Sequence, residues 1–252
     1  MIRPLLIEAR RRVLRTYRRW RQPRVIRHAG VLLAIDGHVP PEILEYLYAG
    51  DYERSELKPL RKHLRPDDVV MELGAGIGFI SLQCARRVGA DRVFSFEANP
   101  GLEPHIRRNY QLNQLYPQLE ICLLGQEHGE TEFYIHDQFW ASTTVPGING
   151  MRAIRVPVRP LNEEIRRIDP TFLVLDIEGG ERELFRFIEF HHIEKIALEL
   201  HTALIGDEEA AAIKRRLRDA GFSWEEGSAG GGMEHLCAWR ASPQRVARRG
   251  PG

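Results

Sequence analysis

Val69-Val70-Met71-Glu72-Leu73-Gly74-Ala75-Gly76-Ile77-Gly78 is an apolar run that passes directly into a glycine-rich turn. A short apolar run closed by glycine reads as a buried strand, and the amphipathic stretch after it, about 78–88, reads as a helix. Glycines at such a junction let the backbone turn sharply and let a ligand approach the helix N-terminus with no Cβ in the way. The same residues could serve a tight turn with no ligand. A nucleotide-type ligand is the preferred reading.

Downstream the pattern repeats. Strands are expected at 69–73, 92–97, 119–124, 171–177 and 193–200, and helices at about 78–88, 102–114, 181–190 and 207–220. Short apolar strands alternating with amphipathic helices argue for an α/β, doubly wound, mostly parallel sheet covered on both faces. The rhythm breaks at 125–160, where the strand-like runs 131–135 and 154–158 flank a Gly/Pro/Ser/Thr-rich loop. It breaks again at Phe222–Glu225 and Glu234–Trp239, which surround Gly230-Gly231-Gly232 and read as a C-terminal antiparallel hairpin.

Upstream, Ile2, Leu6, Ala9, Val13, Tyr17 and Trp20 recur at three- or four-residue steps among arginines, the pattern of a basic amphipathic helix ended by Pro23. Residues 24–36 contain Val31-Leu32-Leu33-Ala34-Ile35, a short hairpin or edge strand closed by Asp36-Gly37. Helical patterns follow from Pro41 through Tyr48 and from about Glu53 to Leu64. The expected divisions are a basic helix at 1–27, a cap region at 28–66, the ligand-binding domain at 67–240 and a disordered tail at 241–252.

Net charge is +1 over 252 residues, but it is unevenly spread. Residues 1–27 hold ten arginines against Glu8, leaving 26 basic and 34 acidic residues in the rest. No apolar run approaches the roughly 18 residues a membrane-spanning helix needs, and the N-terminal segment lacks a secretory core and contains no serine. Three scattered cysteines, Cys84, Cys122 and Cys237, supply neither a disulfide framework nor a cysteine-built metal site. The expected location is cytoplasmic, with peripheral membrane contact through residues 1–22 as one reading and docking of that helix on the protein or a second subunit as the other.

The turn is G-x-G-x-G with an acid two residues before the first glycine, whereas the dinucleotide fingerprint is G-x-G-x-x-G. Glu72 would repel a pyrophosphate and favour a ligand bearing an amino group or a sulfonium charge, and S-adenosyl-L-methionine has both. Glu97, ending the second strand, can take ribose hydroxyls. In Phe172-Leu173-Val174-Leu175-Asp176-Ile177-Glu178-Gly179-Gly180-Glu181, alternation puts Asp176 and Glu178 on one side of a strand end, where open α/β sheets hold ligands. These acids could hold a divalent metal, position a hydroxyl, accept its proton, or only cap the next helix. Glu199 and His201 end the neighbouring strand, which makes His201 a second candidate base.

Glu72–Gly78, Phe96-Glu97-Ala98-Asn99-Pro100, Asp176-Ile177-Glu178-Gly179 and Glu199-Leu200-His201, in this order, resemble the FkbM-type S-adenosylmethionine-dependent methyltransferases, and the resemblance spans about 30–240. It implies a seven-stranded Rossmann-like class I methyltransferase sheet with a reversed final hairpin, and O-methylation of a hydroxyl on a small metabolite, sugar or lipid-linked glycan. It implies that Glu72, Gly74, Gly76 and Gly78 surround the methionine half of the cofactor and that Glu97 holds the ribose, with Asn99 in the same motif. Gln126 and Glu127 would lie near adenine, Tyr52 and Glu53 would close the site, and Ser142, with Trp140 and Thr143, would contact cofactor or acceptor from a loop. Asp176, Glu178 and His201 are the catalytic candidates. Members often carry a lysine two residues before the aspartate, and here that position is Val174. Alternatives of other classes are a nicotinamide-dinucleotide oxidoreductase of similar fold and a non-catalytic cofactor-binding interaction protein. No nucleic-acid partner is expected, because base-methylating patterns are missing. An oligomer is compatible with the sequence.

Overall fold

The computed structural model describes residues 2–37, 39, 41–135, 152–230 and 232–241. Its elements run α1 (Ile2–Arg21), β1 (Val25–His28), β2 (Val31–Ala34), α2 (Pro41–Ala49), α3 (Arg54–His63), β3 (Val70–Leu73), α4 (Phe79–Val88), β4 (Val93–Glu97) and α5 (Glu103–Asn113). Then come β5 (Gln118–Ile121), β6 (Leu123–Gly125), β7 (Gly129–Ile135), β8 (Arg152–Pro160), α6 (Leu161–Ile168), β9 (Phe172–Leu175) and α7 (Glu181–Phe187). The chain finishes with β10 (Lys195–Leu200), α8 (Thr202–Ile205), α9 (Asp207–Asp219), β11 (Ser223–Gly230) and β12 (Met233–Trp239).

The main sheet has seven strands in the order β11-β12-β10-β9-β3-β4-β5. Neighbours from β5 through β10 pair in parallel, and β12 pairs antiparallel with both β10 and β11. Strand order therefore reverses between β3 and β9, and the loops leaving those two strands part there to open a crevice.

Side-chain alternation divides the core into two layers. Val70, Phe172 and Val174 face the layer built with α4, α5 and the N-terminal cap. Met71, Leu73, Leu173 and Leu175 face the layer built with α6, α7 and α9. Both faces are covered, which is why β3, β9 and β10 are buried at every position.

The cap belongs to the same core as the sheet, for Ile26, Leu33, Leu47, Tyr52, Leu57 and Leu60 cluster with Ile77 and Phe79. The hairpin of β1 and β2 turns at Ala29 and Gly30, upstream of the expected Asp36-Gly37 close, and the division expected at 27/28 falls inside β1. Two side chains of α5 satisfy its outer strand: Asn109 and Asn113 accept from the N–H groups of Ala34 and Leu32, both at 2.8 Å.

The strand expected at 119–124 is two strands, bent at Cys122. Its first half pairs with β4, while its second half leaves the main sheet for a three-stranded one ordered β6-β8-β7. Helix α6 was not foreseen in the sequence reading. Among the described residues, no helix is long and apolar enough to cross a membrane. The tail from 242 onward lies outside the described residues.

Candidate active site

At the crevice the loop after β3 meets the loop after β9. Gly74 adopts φ +88, and a Cβ there would stand 1.8 Å from the carbonyl oxygen of Asp176, so no other residue fits without displacing a backbone. Gly78 begins α4 at φ +76, with Ile106 and Tyr110 each 2.9 Å from where its Cβ would be. This close packing leaves a cavity of about 410 Å³ above the turn.

Of the residues expected at the cofactor, Tyr52, Glu53, Gly74, Gly76, Glu97 and Gln126 line this cavity. Glu97 is held from below: its Oε2 accepts from the N–H of Gly76 at 2.9 Å and its Oε1 from that of Asn99 at 2.8 Å. Burial raises its carboxyl pKa, and these backbone donors oppose the rise. Tyr52 is fixed by His28, whose Nε2 lies 2.7 Å from the Tyr52 carbonyl oxygen, a role for His28 that no sequence motif signalled.

Four residues expected at the cofactor do not line this cavity. Glu72 does not line the cavity, because alternation along β3 sends its side chain sideways under α4 on the Val70 face. There its Oε2 accepts from the hydroxyls of Ser81 and Ser95, and Oε1 has no hydrogen-bond partner among the described residues. Burial pushes this carboxyl up to about 7 against the lowering effect of both serines. Gly78 packs on α5, away from the cavity. Asn99 supports the loop by accepting from Gly101 at 3.0 Å, and Glu127 is exposed and does not line the cavity. Ser142, with Trp140 and Thr143, lies outside the described residues.

On the catalytic side Asp176 and Glu178 both line the cavity. Strand alternation is not what brings them together, since β9 stops at Leu175 and Glu178 takes a left-handed φ of 45. Their common neighbour is His201, whose Nε2 lies 3.2 Å from Glu178, 3.6 Å from Asp176 and 3.7 Å from Glu199. Its Nδ1 lies 2.5 Å from Glu181, a carboxylate that is fully buried. Burial would lower the imidazole pKa, but the surrounding carboxylates more than reverse this and push it up to about 11. This favours the imidazolium form, which puts a cation among the carboxylates of the cluster.

Asp176 is displaced in the opposite sense. Burial first, then the charges of Glu199 and Glu178, hold its pKa well above the usual carboxylate range. Its Oδ1 is buried and accepts no hydrogen bond among the described residues. Burial likewise lifts Glu199 to about 7, despite the opposing charge of His201, and raises Glu56 beside Glu53. Glu56, which lines the cavity, was missed in the sequence. It follows Glu53 by one helical turn, a spacing that could have flagged it.

Two triplets of donor atoms fall within 4.8 Å of one another here: Asp176, Glu199 and His201, and Glu53, Glu56 and Asp176. Carboxylates also gather without a metal, and in the first triplet the imidazole of His201 already lies 3.6 Å from Asp176 and 3.7 Å from Glu199. The arrangement combines a cavity of ligand size with the carboxyl groups of Glu97 and Asp176 in its lining.

A family model described as Methyltransferase FkbM domain matches residues 72–223, more than half of the 252-residue chain. Among solved structures, the chain is similar to precorrin-6y C5,15-methyltransferase from Geobacter metallireducens, at 16% identity and TM-score 0.49, covering 76% of this chain and 88% of that one. It is also similar to a methyltransferase from Pyrococcus furiosus, at 14% identity and TM-score 0.48 over 92% of this chain and 95% of that one. A human methyltransferase 10 domain containing protein shares 15% identity at TM-score 0.47, over 93% and 96%.

Proposed function

The chain belongs to the methyltransferase FkbM family, and from that premise we propose that it moves a methyl group from S-adenosylmethionine to a hydroxyl oxygen of a small metabolite, sugar or lipid-linked glycan. The observation that carries this reading is Asp176. Its side chain, 31% exposed, lines the cavity with Oδ1 turned toward His201 at 3.6 Å, and its own carbonyl packs against Gly74 of the glycine turn.

The residues present fit that cofactor. Gly74 leaves the turn without side-chain bulk, Glu97 offers a carboxylate suited to ribose hydroxyls, and the cavity is of ligand size at about 410 Å³. When bound, S-adenosylmethionine supplies an activated methyl group on a positively charged sulfur. Carboxylates at Glu53, Glu56 and Asp176 favour a cation beside them.

Asp176 orients the acceptor hydroxyl and accepts its proton. Raised proton affinity makes it a stronger base than an exposed aspartate, and closer to the task of deprotonating an alcohol as the new bond forms. His201, held between Glu178 and Glu181, keeps the cluster from carrying its full negative charge and fixes the side chains beside Asp176. Most of the catalytic gain then comes from alignment, because an in-line displacement needs acceptor and methyl carbon held on one axis.

The test is calorimetric titration of the full chain with S-adenosylhomocysteine and, separately, with NAD. A dissociation constant of roughly 10⁻⁶–10⁻⁴ M for the adenosyl ligand is expected. Tight NAD binding without a response to S-adenosylhomocysteine would replace this reading with the oxidoreductase one.

A further inference from the structure

Helix α1 is joined to the rest of the chain by its polar side. Arg11 pairs with Asp51 at 2.6 Å, and Arg19 donates to both oxygens of Glu45 at 2.8 and 2.6 Å. Arg18 donates to the carbonyl oxygens of Leu47 at 2.7 Å and Arg27 at 3.0 Å. Leu14 is the apolar contact, its Cδ2 3.5 Å from where a Cβ on Gly50 would stand.

With 3.6 residues per turn, Arg11, Leu14 and Arg18 lie on the side of the helix away from Val13, Tyr17 and Trp20. Those three, spaced four and three apart, are 70%, 56% and 76% exposed. The stripe that the sequence offers for burial is therefore the face left open, and an apolar face with an aromatic pair is costly to leave in water. Exposed Arg10, Arg12 and Arg21 border it, and the Arg21 guanidinium sits 5.9 Å over the Trp20 ring.

We propose that this face of α1 lies on an anionic lipid surface. An interfacial helix needs an apolar stripe with aromatic residues at its edge and cations beside it, and residues 10–21 present both on the solvent side. Each arginine near an anionic surface strengthens partitioning by roughly fivefold. Charge decides against a second copy of this chain as the occupant, because a two-fold contact along the stripe would set the bordering arginines of one copy against those of the other.

The experiment is co-sedimentation of the full-length protein with vesicles of phosphatidylcholine alone and of phosphatidylcholine mixed with phosphatidylglycerol, at low and high salt. Binding is expected to the mixed vesicles at low salt, with loss on neutral vesicles and at high salt. The triple variant Val13→Ser, Tyr17→Ser, Trp20→Ser should partition at least roughly tenfold more weakly. Its affinity for S-adenosylhomocysteine should match that of the parent, since none of the three residues lines the cavity. Arg10→Glu with Arg12→Glu should weaken binding without touching the apolar stripe. Failure of the parent to bind mixed vesicles at low salt overturns the proposal, as does undiminished binding by the serine variant. A concentration-dependent dimer that the serine variant abolishes, in a protein that ignores vesicles, overturns it in favour of self-association.

Discussion

Gly74 and Asp176 touch backbone to backbone: the space for a Cβ on Gly74 is taken by the Asp176 carbonyl oxygen, 1.8 Å away, while Gly74 itself holds a φ of +88. The loops from two adjacent strands are thereby locked together at the floor of the cavity. Gly74→Ala would add both a steric overlap and a left-handed alanine. A loss of about 3 kcal/mol or more in urea unfolding is expected, with S-adenosylhomocysteine affinity falling alongside.

Asp176→Asn preserves shape and removes the proton acceptor. Turnover is expected to fall by ~10²–10⁴ while S-adenosylhomocysteine binds nearly as before. Paired calorimetry and initial-rate measurements check this. An Asn variant with parental turnover would show that the base lies elsewhere, with Glu178, which also lines the cavity, the next carboxylate to replace.

Glu97→Ala removes the carboxylate that braces Gly76 and Asn99 and faces the cavity. Cofactor binding should weaken by ~1.5–3 kcal/mol, the range for charge-assisted hydrogen bonds. If titration of the variant with S-adenosylhomocysteine returns the parental constant, Glu97 serves only the loop.

Glu72 should leave a signature in stability against pH. Its carboxyl moves from 4.5 to about 7 on folding, chiefly by burial, so between those values the folded chain binds more protons than the unfolded one. Its contribution therefore declines as pH rises through that window and is least favourable above it. Glu72→Gln keeps an acceptor for Ser81 and Ser95 and cannot ionise. Relative to the parent, the Gln variant should gain up to about 3 kcal/mol between pH 5 and pH 8 in denaturant titrations. A difference that stays constant across that range would mean that Glu72 does not titrate there.

Metal removal provides the fifth test. His201 already sits among the acids that a metal would need, its Nε2 3.2 Å from Glu178 and 3.6 Å from Asp176. Treatment with EDTA followed by gel filtration is expected to leave turnover unchanged. Activity lost to EDTA and restored by Mg²⁺ or Mn²⁺ would make Glu53, Glu56 and Asp176 ligands.

The parallel sheet was legible because its strands are buried on both faces and read as apolar runs closed by turns. Helix α6 was not, for it is two turns long and follows Pro160, although Leu161, Ile165 and Ile168 carry the helical spacing and are all buried. The split at Cys122 was hidden since both halves are apolar and only pairing partners distinguish them. For the site, proximity in sequence misled at Glu72, where one residue of alternation separates the cavity from the core. The cluster itself draws on α3, the loop after β9 and the end of β10, and a linear pattern does not say that Glu56 and His201 meet Asp176. The surroundings of His201 were equally out of reach, because its carboxylates come from the loop after β9, from α7 and from β10.

The asparagines of α5 that complete the N-terminal hairpin have a consequence for synthesis. Leu32 and Ala34 emerge 81 and 75 residues ahead of the side chains that satisfy them, and Asp36 emerges 69 ahead of His105, which lies 3.1 Å away in the finished molecule. At ordinary ribosomal speeds of ~5–20 residues per second, this opening segment spends roughly 4–16 s outside the tunnel before its partners exist. Its apolar residues belong to the same core as the sheet, so they too must wait for β3 and α4. During that interval the outer edge of β2 is open to edge association, until the arrival of α5 covers it.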